Sequence, residues 1–327
     1  MSLSITNSTS CILVHFPFPF LFFLIFLGTS AHGWPISDCT SEGLKAVLVL
    51  RTLPIVQKGI AAGSISDISD QRLFDGCNVV LTMQNEDGGW ATYENTRGGG
   101  WYESLNPSEV FGEIMIDYSY VECTSASLCC LIDFQQQFPT HRTSDINRAI
   151  AQGRQFVMDI QRPDGSWYGS WACCFTYGTW FGIEALVYGA DSNDTDAGVN
   201  SIFQSEPVQK AISFLLEKQN DNGGWGEDFT SCYDKQYALN GAETYGTGGS
   251  SCVQTSWALL ALMAAKCDNF KAVEKGAIFL QDMQDENGDW PQEGISGVFN
   301  RACGITYTQY RNVFSLWSLG RFANYEV

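Results

Sequence analysis

Apolar side chains recur along this chain in two kinds of segment. The first kind carries one apolar face. Ala211-Ile212-Ser213-Phe214-Leu215-Leu216 and Gly276-Ala277-Ile278-Phe279-Leu280 are examples, and each reads as an amphipathic helix. The second kind is apolar nearly all round. Thr124-Ser125-Ala126-Ser127-Leu128-Cys129-Cys130-Leu131, Thr179-Trp180-Phe181-Gly182-Ile183-Glu184-Ala185-Leu186 and Thr255-Ser256-Trp257-Ala258-Leu259-Leu260-Ala261-Leu262 belong to it. A helix of that kind is buried on both sides. Outer amphipathic helices alternating with buried inner helices predict an all-α protein, an α/α barrel rather than an open solenoid. Closure of the barrel does not follow from the pattern.

Between the two kinds of helix lies a recurrent punctuation, in which a Gln is followed six residues on by a Trp. The instances are Gln84-Asn85-Glu86-Asp87-Gly88-Gly89-Trp90, Gln161-Arg162-Pro163-Asp164-Gly165-Ser166-Trp167, Gln219-Asn220-Asp221-Asn222-Gly223-Gly224-Trp225 and Gln284-Asp285-Glu286-Asn287-Gly288-Asp289-Trp290. The Trp-to-Trp steps are 77, 58 and 65 residues, so the units differ in length and share a signature, as in a repeat architecture. Glycine stops the preceding helix because it accepts φ > 0 where the chain must turn. The Gln and acidic side chains are suited to hydrogen-bond backbone groups at helix ends, and the Trp to stack on the Gln or a neighbouring helix. The signatures are therefore expected to be staples on the outer surface rather than a binding pocket.

Composition narrows the function. A length of 327 residues fits one large core or two smaller domains. A formal charge of -18 offers no basic stripe for phosphates, so nucleic acid is not an expected partner. Aromatic residues make up 13% of the chain, which points to an aromatic-lined cavity; plain core packing is the alternative for any single ring. The twelve cysteines are spread through helix-like runs, such as Cys129-Cys130 and Cys173-Cys174, and read as small buried hydrophobes rather than staples. No Cys-x-x-Cys is present and the only histidines are His15, His32 and His141, so no metal is expected. Residues 1–30 stand apart. Phe16-Pro17-Phe18-Pro19-Phe20-Leu21-Phe22-Phe23-Leu24-Ile25-Phe26-Leu27 has the apolarity of a signal-peptide core, but no Lys or Arg precedes it and prolines interrupt it. It is short for a spanning helix. A secretory signal, an interfacial anchor and translated non-coding sequence from a faulty gene model are the competing readings.

Aligning the inner helices on their Thr brings a candidate site forward. Asp38-Cys39-Thr40-Ser41-Glu42 falls on Glu122-Cys123-Thr124-Ser125-Ala126, with an offset of 84 residues. Neighbouring inner helices of a barrel run roughly parallel, so Cys39 and Cys123 are placed to face Asp38. Helix capping accounts for the acid and the Thr equally well; the repeated Cys favours a site. A carboxylic acid in an apolar cavity has a raised pKa because desolvation penalises the anion. Thiols donate only weak hydrogen bonds. Such an acid stays protonated and acts as a general acid, and an aromatic wall stabilises a cation through the ring quadrupole.

With these residues the chain resembles the oxidosqualene cyclases that make sterols and triterpenes. Further stretches carry the resemblance: Asn106-Pro107-Ser108-Glu109-Val110-Phe111-Gly112, Ile116-Asp117-Tyr118-Ser119-Tyr120-Val121-Glu122-Cys123-Thr124-Ser125, Cys174-Phe175-Thr176-Tyr177-Gly178-Thr179-Trp180-Phe181, Gly223-Gly224-Trp225-Gly226-Glu227 and Gly297-Val298-Phe299-Asn300-Arg301. It runs from about Ala31 to Phe322. The resemblance implies an α/α barrel catalytic domain beside a second barrel, and cyclisation of 2,3-oxidosqualene begun by protonating its epoxide, with no metal or organic cofactor. It implies Asp38 as the proton donor, with Cys39 and Cys123 as its hydrogen-bonding partners. Trp171 and Phe299 match aromatic positions that stabilise ring cations, and Tyr93 and Tyr307 match further cavity positions. It also implies a monotopic seat on one membrane leaflet, at the endoplasmic reticulum or a lipid droplet. His32 and Ile36 match the His-Gly-Trp-Pro-Ile-Ser-Asp pattern of cycloartenol synthases, where lanosterol synthases usually carry Val in place of Ile36. Cycloartenol is the expected product, with lanosterol or another triterpene as the alternative.

The chain departs from the family in length. Members are about twice as long, and residues 1–30 match nothing in them, so residues 31–327 are expected to be the C-terminal part of the catalytic barrel. Opening a barrel exposes inner helices at about 25 cal/mol per Å2 of apolar surface, and an inactive fragment is the expected alternative to an enzyme. Ser41 stands where the family usually has Ala. Squalene-hopene cyclases carry an Asp-x-Asp-Asp acid motif, whereas here Ile36 and Ser37 precede Asp38. Protein prenyltransferases need an Asp, Cys and His zinc set, and none is convincing here. A glycoside hydrolase needs carboxylates facing across a cleft, whereas Asp38 and Glu42 are one helical turn apart.

Overall fold

The computed structural model describes residues 34–190, 200–239, 249–299 and 301–325. The 1–30 leader and His32 lie outside them. The helices are α1 (Ser37–Thr52), α2 (Pro54–Ala61), α3 (Asp70–Thr82), α4 (Val121–Gln137), α5 (Thr143–Asp159), α6 (Phe175–Val187), α7 (Asn200–Phe203), α8 (Glu206–Glu217), α9 (Ser231–Asp234), α10 (Cys252–Ala264), α11 (Phe270–Asp282) and α12 (Tyr310–Phe322). A hairpin of β1 (Gly297–Phe299) and β2 (Cys303–Ile305) pairs antiparallel, with Val298 opposite Gly304.

The two classes of helix occupy two layers. In the inner layer α1, α4, α6, α10 and α12 pack side by side in that order. Each outer helix lies over the groove between two successive inner ones: α3 over α1 and α4, α5 over α4 and α6, α8 over α6 and α10, α11 over α10 and α12. Burial follows the layers. In α10 every residue from Cys252 to Met263 is buried, whereas α8 buries only Val208, Ala211, Ile212, Phe214 and Leu215. Among the described residues α1 and α12 share no comparable contact, so the inner helices form an open arc of an α/α toroid. Apolar side chains stay exposed at both of its ends: Val49, Leu53 and Ile55 at one, Val313, Leu316 and Trp317 at the other.

The Gln-to-Trp signatures fasten the layers together. Each Trp indole N–H donates to the carbonyl ten residues earlier in its own outer helix: Trp90 to Val80 at 2.8 Å, Trp167 to Val157 at 2.7 Å, Trp225 to Leu215 at 2.7 Å, and Trp290 to Leu280 at 2.8 Å. The backbone N–H of Trp90, Trp167 and Trp225 donates to the Thr of the following inner helix, Thr124, Thr179 and Thr255, at 3.0, 3.3 and 2.9 Å. Of these, Thr124 is the residue aligned with Thr40 by sequence. The Gln amides of the first three signatures span to the next outer helix, onto the carbonyls of Ala149, Pro207 and Ala272. Gln284 bonds Gly288 O alone. Acidic and Asn side chains close the turns as expected, with Asp87 accepting from Gly89 N and Asp164 from Ser166 N.

The turns lie at the outer surface as expected, with Glu86, Asp87, Asp164 and Asp221 exposed, whereas the expectation is corrected for the tryptophans. The four indoles are at most 1% exposed, because each slots between an outer and an inner helix. In the third signature one glycine lets the turn approach the next outer helix and another makes room for the ring. Gly223 sits at φ +89°, where a Cβ would come 2.6 Å from Lys275 O. A Cβ on Gly276 of α11 would come 2.9 Å from the Trp225 ring. Cys173-Cys174 also differs from expectation, lying just before α6 rather than within it, with Cys174 as the N-cap.

Gln219 bridges two elements and Gln284 only one, so their removal should differ. We expect Gln219→Ala to lower unfolding free energy by about 1–3 kcal/mol through the carbonyls it strands, and Gln284→Ala by less than about 1 kcal/mol. Paired urea denaturation curves measure the difference, and equal losses would contradict the bridging role.

Candidate functional site

Inner helices that start at one end of a barrel gather their N-termini there, and each start leaves unpaired N–H groups and a partial positive charge. This chain meets them with buried carboxylates. Glu227 accepts from Phe175 N and Thr176 N at the start of α6. Glu293 accepts from Cys252 N at 2.7–2.8 Å at the start of α10. Both carboxyls are pushed up to about 7, because burial outweighs the hydrogen bonds that favour the anion. At α1 and α4 the acid belongs to the helix itself, as Asp38 and Glu122.

Asp38 lies in the first turn of α1 and its Oδ1 accepts from Cys39 N at 2.8 Å. It is not the N-cap; that position is Ile36, which is 1% exposed and provides no side-chain cap. Burial holds the Asp38 carboxyl above the usual range, opposed by hydrogen bonds from the Cys39 backbone and thiol, with a smaller upward push from Glu42. The Cys39 thiol is pushed up to about 12 by burial and then by the adjacent Asp38 charge. Glu42, one turn on, is engaged by Lys45 at 2.9 Å.

Cys123 opens α4 at the same height, and Ser41 of α1 reaches Ser127 of α4 at 3.3 Å across the gap. The Cys123 thiol is fully buried and lies 3.5 Å from Thr92 Oγ1. It feels the Asp38 charge, while its hydrogen-bonding neighbours are Thr92 and Ser37. The thiol joined to Asp38 by a hydrogen bond is thus Cys39. The segment between them explains the difference. Ser37 N donates to Thr92 O at 2.9 Å, Ser37 Oγ donates to Ala91 O, and Asp117 accepts from Thr92, Tyr93 and Glu94 N.

An aromatic wall stands beside this end of the helices. The Trp171 ring lies 6.4 Å from Tyr93, 6.1 Å from Tyr120 and 5.9 Å from Phe299, and Phe299 lies 5.9 Å from Phe111. The hairpin is tied to it through Val298 N, which donates to Trp171 O at 3.1 Å. Tyr93 feels the Asp38 charge, so the acid acts on one ring of the wall. Tyr307 stands apart from the ring cluster. It stacks on Tyr310 at 4.5 Å and lines a separate small cavity with Gln254, Glu293 and Arg311. Tyr310 is the ring of that pair that senses Asp38. Sequence reasoning singled out neither Tyr120, Tyr310 nor Phe111. Tyr120 could have been found from its place directly before α4. Among the described residues no group of three His, Cys, Asp or Glu side chains is arranged to hold a metal.

The model of the squalene-hopene cyclase C-terminal domain matches residues 57–324. The chain belongs to the squalene-hopene cyclase C-terminal domain family. Within that family it is 48% identical to lanosterol synthase of Homo sapiens over 293 residues, covering 89% of this chain and 37% of that protein. It is 50% identical to cycloartenol synthase of Dictyostelium discoideum over 295 residues, covering 90% of this chain and 38% of that protein. The chain therefore spans well under half the length of these relatives. The type II terpene cyclase MstE from Scytonema superposes with a TM-score of 0.53 at 15% identity, covering 93% of this chain and 78% of that one, which supports the toroid fold. The span matched to the cyclase C-terminal domain begins after α1, so Asp38 lies outside it while Cys123, Trp171 and Phe299 lie inside.

The coupling of Asp38 to Cys39 has a measurable consequence. Thiolates alkylate and thiols do not. A thiol moved from 9 to about 12 has roughly 1,000-fold less thiolate near neutral pH. Cys39 should resist iodoacetamide in the native chain and react in urea. Above the pH at which Asp38 ionises, Asp38→Asn should speed the native reaction, because it removes a neighbouring negative charge. Peptide mass mapping of alkylated Cys39 measures both, and equal native rates in the two proteins would contradict the coupling.

Proposed function

We propose that this chain supplies the C-terminal part of the catalytic barrel of an oxidosqualene cyclase, which protonates the epoxide of 2,3-oxidosqualene and guides the resulting carbocation to a sterol skeleton. The observation that carries the reading is Asp38, a carboxyl whose burial favours the protonated form, beside an aromatic wall of Tyr93, Tyr120, Trp171 and Phe299. The names of its relatives, lanosterol synthase and cycloartenol synthase, support the same substrate.

In this reading Asp38 donates its proton to the epoxide oxygen as the C–O bond breaks. The Cys39 hydrogen bond holds the new carboxylate in place, and Cys123 keeps the adjoining pocket apolar. The cation then moves along the rings, whose negative faces stabilise it. Burial of Ile36 two residues before the acid supports a role in shaping where the first ring closes, and its identity favours cycloartenol over lanosterol. The exposed Trp101, Leu105 and Val110, on or beside a short 3-10 helix over Gly100–Leu105, support seating on one leaflet of a membrane. Among the described residues no helix is long and apolar enough to cross one.

The test joins this chain to the remaining portion of a related synthase and expresses it in a host lacking its own cyclase, with extracted lipids read for cyclised product. Product should form, and Asp38→Asn should lower it by about 100- to 10,000-fold. A general acid must be protonated to act, so turnover should fall as pH rises through the raised Asp38 pKa. Undiminished product from Asp38→Asn would overturn the assignment. In the same assay Ile36→Val should raise the share of lanosterol relative to cycloartenol; an unaltered ratio would leave Ile36 as a packing residue.

A further inference from the structure

The structure holds a carboxylate that the acid step does not use. Glu122 is 3% exposed in the first turn of α4, and it accepts hydrogen bonds from the backbone N–H of Ser170 and of Trp171, the latter at 3.1 Å. Its carboxyl is pushed up to about 7, chiefly by burial. It differs from Glu227 and the half-buried Glu293 in what it fastens. Glu227 and Glu293 use both oxygens to receive the first N–H groups of an inner helix. Glu122 reaches out of its own helix to a loop, and its Oε2 is buried without a partner. A carboxylate is a costly clip for a loop when one oxygen is left unbonded. The loop it holds is the one that carries Trp171.

We infer that Glu122 is a positioning residue for cyclisation, which fixes the height of the Trp171 ring against the cation. The inference rests on the cyclase reading above. Trp171 is pinned from two sides: Glu122 takes its N–H and Val298 donates to its carbonyl. Its ring meets Tyr93, Tyr120 and Phe299. Glu122 adjoins Cys123 in sequence and feels the Asp38 charge, so one turn of α4 adjoins both the acid and the wall. Releasing the Trp171 N–H frees the ring to drift, and a cation that loses its aromatic partner sheds a proton before the last rings close.

The experiment uses the joined enzyme with Glu122→Ala and Glu122→Gln. Glu122→Ala should lower kcat by about 10- to 100-fold, change KM by less than about twofold, and raise the share of partly cyclised products. Glu122→Gln keeps one acceptor oxygen and should restore most of the product profile. Hydrogen exchange at the Ser170 and Trp171 amides gives a readout independent of turnover: protected in the parent and in Glu122→Gln, fast in Glu122→Ala. A Glu122→Ala enzyme with the parent product profile, or with both amides still protected, overturns the inference. Absence of product from the parent itself would instead sink the cyclase reading, and the exchange measurement would still decide whether Glu122 holds Trp171.

Discussion

The whole arc depends on how an indole is seated. In each signature the Trp ring is tied back to its outer helix by one hydrogen bond spanning ten residues. In three of them the backbone N–H is tied forward to a threonine of the next inner helix. The same residue thus fixes the height of an outer helix, a turn and an inner helix relative to one another. Burial strengthens the arrangement, because a buried indole N–H or backbone amide left unpaired is expensive. A slip of one residue in α4, α6 or α10 would break its Trp amide bond and misplace the bulky ring. Register is therefore set unit by unit in α4, α6 and α10.

That constraint also decides where the charges go. Inner helices held level present their N-termini on one side, where the positive ends of the helices favour anions and burial opposes them. The outcome differs with the number of N–H groups each carboxylate receives. Glu227 receives bonds on both oxygens from Phe175 and Thr176. Asp38 is bonded only by groups beside it in sequence, the amide of Cys39 and its own, and by the weak Cys39 thiol donor. An acid that must release a proton and later regain it is better served by few and weak partners than by a full set. The contrast between Asp38 and Glu227 supports different duties for two carboxylates at equivalent ends of neighbouring elements.

Much of the framework was legible because it repeats. The threonines Thr124, Thr179 and Thr255 open the three apolar runs of the inner helices, and they are the ones that receive the Trp amides. The glycine at φ +89° in the third signature was legible from the chemistry of the turn. The burial of the tryptophans was not, because it depends on a partner in the next unit: Gly276 leaves space for Trp225, and nothing in the signature itself names Gly276. The site divides in the same way. The proposed acid and its adjacent thiol are local in sequence, and the Cys39 amide bonds the Asp38 carboxyl. The partner of Cys123 is Thr92, thirty-one residues away on an irregular segment, and no period reports it. Tyr307 turned toward Tyr310 and a second cavity because a short hairpin fixes its position, with Gly297 against its ring.

The segment from Ala91 to Glu94 joins the two kinds of information. It directly follows the first signature, so the Trp90 staple fixes where it begins. Its carbonyls receive Ser37 N, Ser37 Oγ and the Trp34 indole, which sets the start of α1 and with it Asp38. Its amides are gathered by Asp117, its Thr92 hydroxyl meets Cys123, and its Tyr93 ring meets Trp171. Acid and thiol are therefore positioned by one short stretch of backbone, which meets the wall through Tyr93, while Glu122 and Val298 hold Trp171 itself. A chain built this way does not separate stability from chemistry at that point: whatever loosens Trp90 moves the acid relative to the wall. The signature is structural in its bonds, and through this segment it sets the geometry on which the proposed reaction relies.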